Sequence, residues 1–378
     1  MKRMLAALLM LLILPPVPVC AAEQPHYAAA LAEAQTGTLL CGTDADVQLP
    51  AGTQTKLMTV YVTAEAVEAG TLSPDTLVTV PAAAERYPGA TVWLRTGEQM
   101  TVSDLLKAVI IGNANDACIA LAHAVSGTEQ AFTDDMNAAA FSLGMRQTRF
   151  IDCTGTAAEN LTTAGDLALL GCALLRFDWL TPLFTAYRST LRDGATELVS
   201  ENRLTRGYEG LLGLKAGHGD ASGYTLTLAA GQDGMRLTAA VLGAADTDAR
   251  FTDAKKLLSE GFAKYTVMSP DFSAEFLRPL PVHGGTAEAV LPVCGTLLSA
   301  SVPKGSRIST LTLLPSYAEA PVRQGQQLGT AAFFCGDTLL YEVPLTAAES
   351  VPERGLRDTA VRLLAAVFGT GGLTEKGI

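Results

Sequence analysis

The chain has 378 residues, 48% hydrophobic and 17% charged, a composition that excludes disorder and fits a large globular domain plus a small one. A net charge of −11 argues against a nucleic-acid partner, because phosphate backbones are held by clustered Lys and Arg. Seven cysteines include no CxxC pair, so no zinc site is expected, and nothing in the sequence implies a metal or organic cofactor.

The N-terminal "MKRMLAALLMLLILPPVPVCAAEQ" has a basic start (Lys2, Arg3), an apolar run from Met4 to Ile13, then prolines and small residues ending at Cys20-Ala21-Ala22. This predicts a secretory signal peptide over 1–22, cleaved after Ala21 or Ala22, and hence an exported, extracytoplasmic protein. The apolar run is too short to span a bilayer. Pro18 suits a lipoprotein site at Cys20 poorly.

Next, "TGTLLCGTDADVQLPAGT" predicts a short hairpin leading into a helix at Thr53, and "TKLMTVYVTAEAVEAG" continues that helix to a C-terminal Gly70. "TVSDLLKAVIIGNANDACIALAHAVSG" predicts two helices. Thr101 and Asp104 form a capping pair for the first, the second runs from about Ala114 to Val125, and "GNAN" is the turn. "TTAGDLALLGCALLRF" is another capped helix, "GYTLTLAAGQDGMRLTAAVLGA" a hairpin around Gln232-Asp233-Gly234, and "DTDARFTDAKKLLSEGFAKY" a helix. Cys118 and Cys172 fall on apolar helical patterns and read as buried thiols.

These elements predict an α+β fold, an antiparallel sheet packed with a helical cluster over 23–268. Beyond Pro270, strand-length apolar runs between Pro and Gly turns predict a small all-β domain over 269–350. The tail over 353–370, "RGLRDTAVRLLAAVFGT", is a short amphipathic helix. Leu356, Ala360, Leu364 and Val367 share one face, with Arg357 and Arg362 among its polar groups. It suits either packing on its own domain or lying in a membrane interface.

There is no HExxH, no GxSxG and no glycine-rich phosphate loop, and His26, His123, His218 and His283 stand in no triad pattern. A nucleophilic hydroxyl here would need a lysine base with a lowered pKa. Thr53 and Lys56 lie three apart, on one face of a helix. Lys215 in "GLKAGHGDASGYTL" supplies a second cation, and Asn113 and Asn115 in "IGNANDACIALA" open a helix. Singly, these are a capped helix with a surface lysine, a turn and a strand entry. Their order and separation make the set far more specific.

The chain resembles the D-alanyl-D-alanine carboxypeptidases, the low-molecular-weight penicillin-binding proteins, whose motifs SxxK, SxN and KTG are shared with β-lactamases. "GATVWLRTGEQMTVSDLLKAVI", "NANDACIALA", "LTTAGDLALL", "GLKAGHGDASGYTL" and "RLTAAVLGAADTDARFTDAKKLL" carry the similarity, over roughly Ala28 to Tyr265. The resemblance implies a transpeptidase-like domain, a C-terminal β domain and an amphipathic anchor. It also implies removal of the terminal D-alanine from peptidoglycan stem peptides, with β-lactams as further ligands. Thr53 would be nucleophile, Lys56 base and Asn113 the relay position. Asn115 would hold the substrate amide, and Lys215 with Ala216, Gly217 and His218 the carboxylate-side wall.

Three positions depart from the family. Thr53 replaces the nucleophilic serine, Asn113 the SxN serine and Ala216 the KTG threonine. The threonine methyl crowds attack. Asn113 cannot pass a proton as a hydroxyl does, a loss of about 10²–10⁴-fold. Ala216 removes a hydrogen bond to a carboxylate, worth about 1.5–3 kcal/mol. Three functions follow as candidates: slow hydrolysis, a non-catalytic peptidoglycan reader, or β-lactam hydrolysis with Glu159 as deacylating carboxylate.

Overall fold

The computed structural model describes residues 26–273 and 277–368. The expected signal peptide lies outside the described residues. The architecture is α+β, as the sequence predicts.

Five antiparallel strands form the central sheet, in the spatial order Thr38–Thr43, Ala28–Glu33, Met235–Ala244, Gly223–Gln232 and Leu211–Gly219. The Asp233-Gly234 hairpin aligns Leu226 with Val241, and on the sheet's edge Lys215 lies opposite Thr227. Side chains alternate between two covered faces. Leu31, Leu226, Leu228, Leu237 and Val241 pack with Phe251, Ala254, Leu258 and Phe262 of the long helix Thr247–Lys264 (α7). Ala30, Ala32, Ala240 and Leu242 face the larger helical core.

Helices α1 (Thr55–Glu68), α2 (Val102–Ile110), α3 (Asn115–Ser126), α4 (Glu129–Ser142), α5 (Ala164–Leu174) and the short α6 (Thr181–Thr185) precede α7. Ten successive residues of α1, Thr55 to Ala64, are buried, because α2, α3, α4 and α5 surround it. Gly171 lets α5 lie on the sheet, since a Cβ there would come within 2.3 Å of Thr238 Cγ2. The Thr101 hydroxyl accepts from Asp104 N–H at 3.0 Å, forming the expected cap.

Two local expectations change. The first hairpin pairs Ala28–Glu33 with Thr38–Thr43, so only its second arm lies in the stretch expected to contain both. Regular helix begins at Thr55, with Thr53 in a 3₁₀ turn over Gly52–Gln54. Here Gly52, at φ +49°, and Gly155 let two loops meet; a Cβ on Gly155 would lie 1.9 Å from the Gly52 carbonyl oxygen.

The C-terminal part is all-β. Its largest sheet has the order Pro292–Cys294, Thr338–Ala347, Gln327–Cys335 and Ile308–Leu313, with Ala331, Phe333, Val343 and Leu345 at its core. Strand Tyr265–Met268, directly after α7, pairs with Ala300–Pro303, joining the two parts. Helix α8 (Leu356–Phe368) follows, exposing Leu356, Val361, Leu363 and Leu364; the side chains of Arg362 and Val367 lie outside the described residues.

Candidate active site

The edge strand Leu211–Gly219, the Thr53 turn and the C-terminal end of α2 meet around Lys215 and Thr53. Gln54 joins the first two. Its Nε2 donates to the Lys215 carbonyl at 3.2 Å and to Thr225 Oγ1 at 3.0 Å, and its Oε1 accepts from Thr227 Oγ1 at 2.8 Å. Gly217 has no room for a side chain, since a Cβ would lie 2.4 Å from Thr53 Cβ and 2.8 Å from its Oγ1. Thr53 is therefore held directly against the strand that carries Lys215.

Lys56 and Lys215 are each only 3% exposed, and neither has a carboxylate partner among the described residues. Lys56 Nζ donates to the Thr154 carbonyl at 2.6 Å; Lys215 Nζ donates to the carbonyls of Val109 at 2.9 Å and Ile110 at 3.3 Å. Burial lowers the Lys56 pKa. Burial first, then the nearby Lys56 charge, lowers that of Lys215 to about 7. Carbonyl oxygens help to hold an ammonium but offset little of its desolvation, so burial favours the neutral form of both amines, and Lys215 sheds its proton near neutrality. No hydrogen bond joins Lys56 Nζ to Thr53 Oγ1; the geometry offers a nucleophile beside a potential base, with the proton transfer not yet engaged.

The Thr154 carbonyl is fixed by a loop wound around Asp152. The Asp152 carboxylate accepts from the N–H groups of Thr154, Gly155 and Ala157 and from Asn160 Nδ2. Burial would raise its pKa, but these donors outweigh that and leave it below the usual range. Glu159 is exposed on this loop, and no described hydrogen bond links it to Thr53 or Lys56.

In the α2–α3 turn, Asn113 sits at φ +59°, a left-handed conformation that asparagine tolerates, and its buried Oδ1 has no partner among the described residues. Asn115 is 3% exposed; its Nδ2 donates to the Pro88 carbonyl at 2.7 Å and its Oδ1 is likewise unpartnered. Asp116 accepts from Val92 N–H and Leu94 N–H, tying the preceding loop to α3.

Thus the structure brings together Thr53, Lys56, Lys215 and Gly217. Ala216 is different. Strand alternation turns its methyl to the opposite face, into the cluster with Leu226 and Phe251, so the side chain contributes nothing to the cleft wall. His218 is exposed, its ring centroid 4.3 Å from that of Tyr224.

Arg250 is the site neighbour that sequence reasoning missed. It is 4% exposed on α7, donates to the carbonyls of Gly217 and Thr225, and leaves a buried Nε unpartnered. Burial lowers its pKa. Gln54, Asp152 and Thr154 were missed too. No sequence signal marks Arg250, which is flanked by Ala249 and Phe251.

Residues 19–246 match the family model described as D-alanyl-D-alanine carboxypeptidase, and residues 282–353 that of the penicillin-binding protein 5 C-terminal domain. The D-alanyl-D-alanine carboxypeptidase DacC of Escherichia coli is 33% identical over 334 residues, covering 85% of this chain and 82% of that protein. Among solved structures, penicillin-binding protein 5 of Haemophilus influenzae superposes with a TM-score of 0.77 at 24% identity, covering 86% of this chain and 97% of that one. Penicillin-binding protein D2 of Listeria monocytogenes, solved with ampicillin bound, gives 0.56 at 31% identity, covering 62% of this chain and 96% of its own.

Proposed function

The chain belongs to the D-alanyl-D-alanine carboxypeptidase family of cell-wall metabolism, and from that premise we propose that it works outside the cytoplasm on peptidoglycan stem peptides. Its cleft binds the D-Ala-D-Ala terminus and hydrolyses it slowly through Thr53. The observation that carries this reading is the pair of buried lysines, Lys56 and Lys215, held beside Thr53 without carboxylate partners among the described residues. Burying two such cations is costly, and a pair with no role in chemistry or binding would be expected to be replaced by apolar groups.

In the proposed reaction, neutral Lys56 takes the Thr53 Oγ1 proton as the oxygen attacks the penultimate D-alanine carbonyl. Collapse of the tetrahedral intermediate breaks the peptide bond. The proton on Lys56 passes to the departing D-alanine nitrogen, leaving an ester on Thr53. Water, deprotonated by Lys56, hydrolyses that ester. Lys215, when charged, attracts the substrate's terminal carboxylate, and Asn115 lines the peptide. The same cleft would accept β-lactams, as the ampicillin-bound Listeria protein does. Residues 1–22 direct export, and α8 rests its exposed leucines in the membrane interface.

A non-catalytic peptidoglycan reader is the second reading. It is favoured by Asn113, whose amide cannot relay a proton where the family has a hydroxyl. Exposed Glu159 lends β-lactam hydrolysis no support. Binding of a D-Ala-D-Ala pentapeptide by purified protein tests the cleft assignment. Lys215→Ala should weaken it by about tenfold or more; unchanged affinity would remove Lys215 from the site.

A further inference from the structure

Trp93 is 78% exposed although Val92 and Leu94 on either side are buried. Its φ of +54° is left-handed, a conformation that costs a bulky residue about 1–3 kcal/mol. Three neighbours impose it. The Asp116 carboxylate accepts from Val92 N–H at 3.1 Å and Leu94 N–H at 3.0 Å. Arg192 donates to the Val92 carbonyl at 3.0 Å and grips Glu98 at 2.6 and 3.2 Å. The Ala90 carbonyl accepts from Asn115 N–H at 2.7 Å. An extended chain covers at most about 3.6 Å per residue, so Trp93 stands within roughly 11 Å of Ala90, whose carbonyl is bonded to the Asn115 N–H.

Beside the indole is an open groove of about 660 Å³ lined by Trp93, Arg95, Thr96, Glu98, Arg192 and Thr196. Arg192 and Glu98 neutralise one another. What remains for a ligand is one flat aromatic face, the Arg95 guanidinium and the spare capacity of two threonine hydroxyls: Thr96 Oγ1 donates to Glu85 and can still accept, while Thr196 Oγ1 accepts from Arg192 and can still donate. A core role is ruled out by the exposure of the indole. A ligand with an apolar C–H face and a rim of hydroxyl and amide groups fits this set, because such a ring can stack on the indole while its rim meets the polar groups.

We propose that Trp93 and this groove form a saccharide subsite for the glycan strand that bears the stem peptide. The inference rests on the stem-peptide reading of the cleft and extends it to the sugar.

The test uses glycan strands stripped of stem peptides and, separately, a sugar-free D-Ala-D-Ala pentapeptide, on the full chain. The protein has two tryptophans, so Trp179→Phe leaves Trp93 as the sole indole reporter. Stripped glycan should change Trp93 fluorescence saturably. Trp93→Ala should weaken glycan binding by about tenfold or more, and Trp93→Phe should keep part of it. Pentapeptide affinity should stay as in wild type in both variants. No saturable response to stripped glycan, or equal glycan binding by Trp93→Ala, overturns the proposal. So does a Trp93→Ala defect confined to the pentapeptide, which would make the groove a peptide site. Wild-type binding of glycan but not of pentapeptide would support the subsite while removing the stem-peptide reading.

Discussion

Lys215 shows how one residue links burial to pH. Its folded pKa of about 7 lies below the roughly 10.4 of an unfolded lysine. Between those values the unfolded chain binds the extra proton, so stability rises with pH, by up to about 1.4 kcal/mol per unit. Lys56, shifted the same way, adds to the slope. The unfolding free energy should therefore climb from about pH 7 to about pH 10, and Lys215→Met should flatten the climb. An equally steep climb in the variant would mean that folded Lys215 keeps its proton. At this scale much was legible. Thr53, Lys56 and Lys215 stand out by their order and separation together with the family resemblance, and the structure brings them together. The direction of the Ala216 methyl was not legible, since it depends on which face of the edge strand turns to α7. Nor was the Lys56–Thr154 contact, because it uses a backbone carbonyl, and any residue supplies one.

Among elements, the Gln54 side chain is the joint between the Thr53 turn and the Lys215 strand. Its three bonds are buried, so Gln54→Leu strands the Thr227 hydroxyl, at about 1–3 kcal/mol, and leaves Thr225 Oγ1 only its bond to the Gly217 carbonyl. Urea titration of the variant should show a loss in that range, together with slower acylation by a penicillin. Loss of stability with unimpaired acylation would mean that the joint holds the fold but not the nucleophile. The capped α2 and the Asp233-Gly234 hairpin were legible because their signals are local, a threonine hydroxyl for the Asp104 N–H and a glycine at φ +80°. Strand Ala28–Glu33 was not. Its alanines favour a helix in isolation, and only burial between α5 and α7 makes a strand of them.

At the scale of the whole molecule, the sheet-and-helix part and the all-β part meet through Tyr265–Met268 and through Glu33, whose Oε2 accepts from Ser301 Oγ at 3.3 Å. The composition change near Pro270 foretold the second part; the shared strand pair is a tertiary contact that no local pattern encodes. Beyond it, α8 turns Leu356, at 93% exposure, and Leu363 and Leu364 to solvent. Removing residues from 356 onward should abolish sedimentation with anionic lipid vesicles while hydrolysis of a soluble pentapeptide stays at its wild-type rate. Undiminished sedimentation would place membrane contact elsewhere. The central claim is that Thr53 still works beside Lys56. The most direct measurement is D-alanine release from a D-Ala-D-Ala stem peptide by purified protein, with Thr53→Ala alongside. Slow release that disappears in the variant is the predicted result. Wild-type release no higher than that of Thr53→Ala, from folded protein that still binds the peptide, would contradict the account and leave a reader of peptidoglycan.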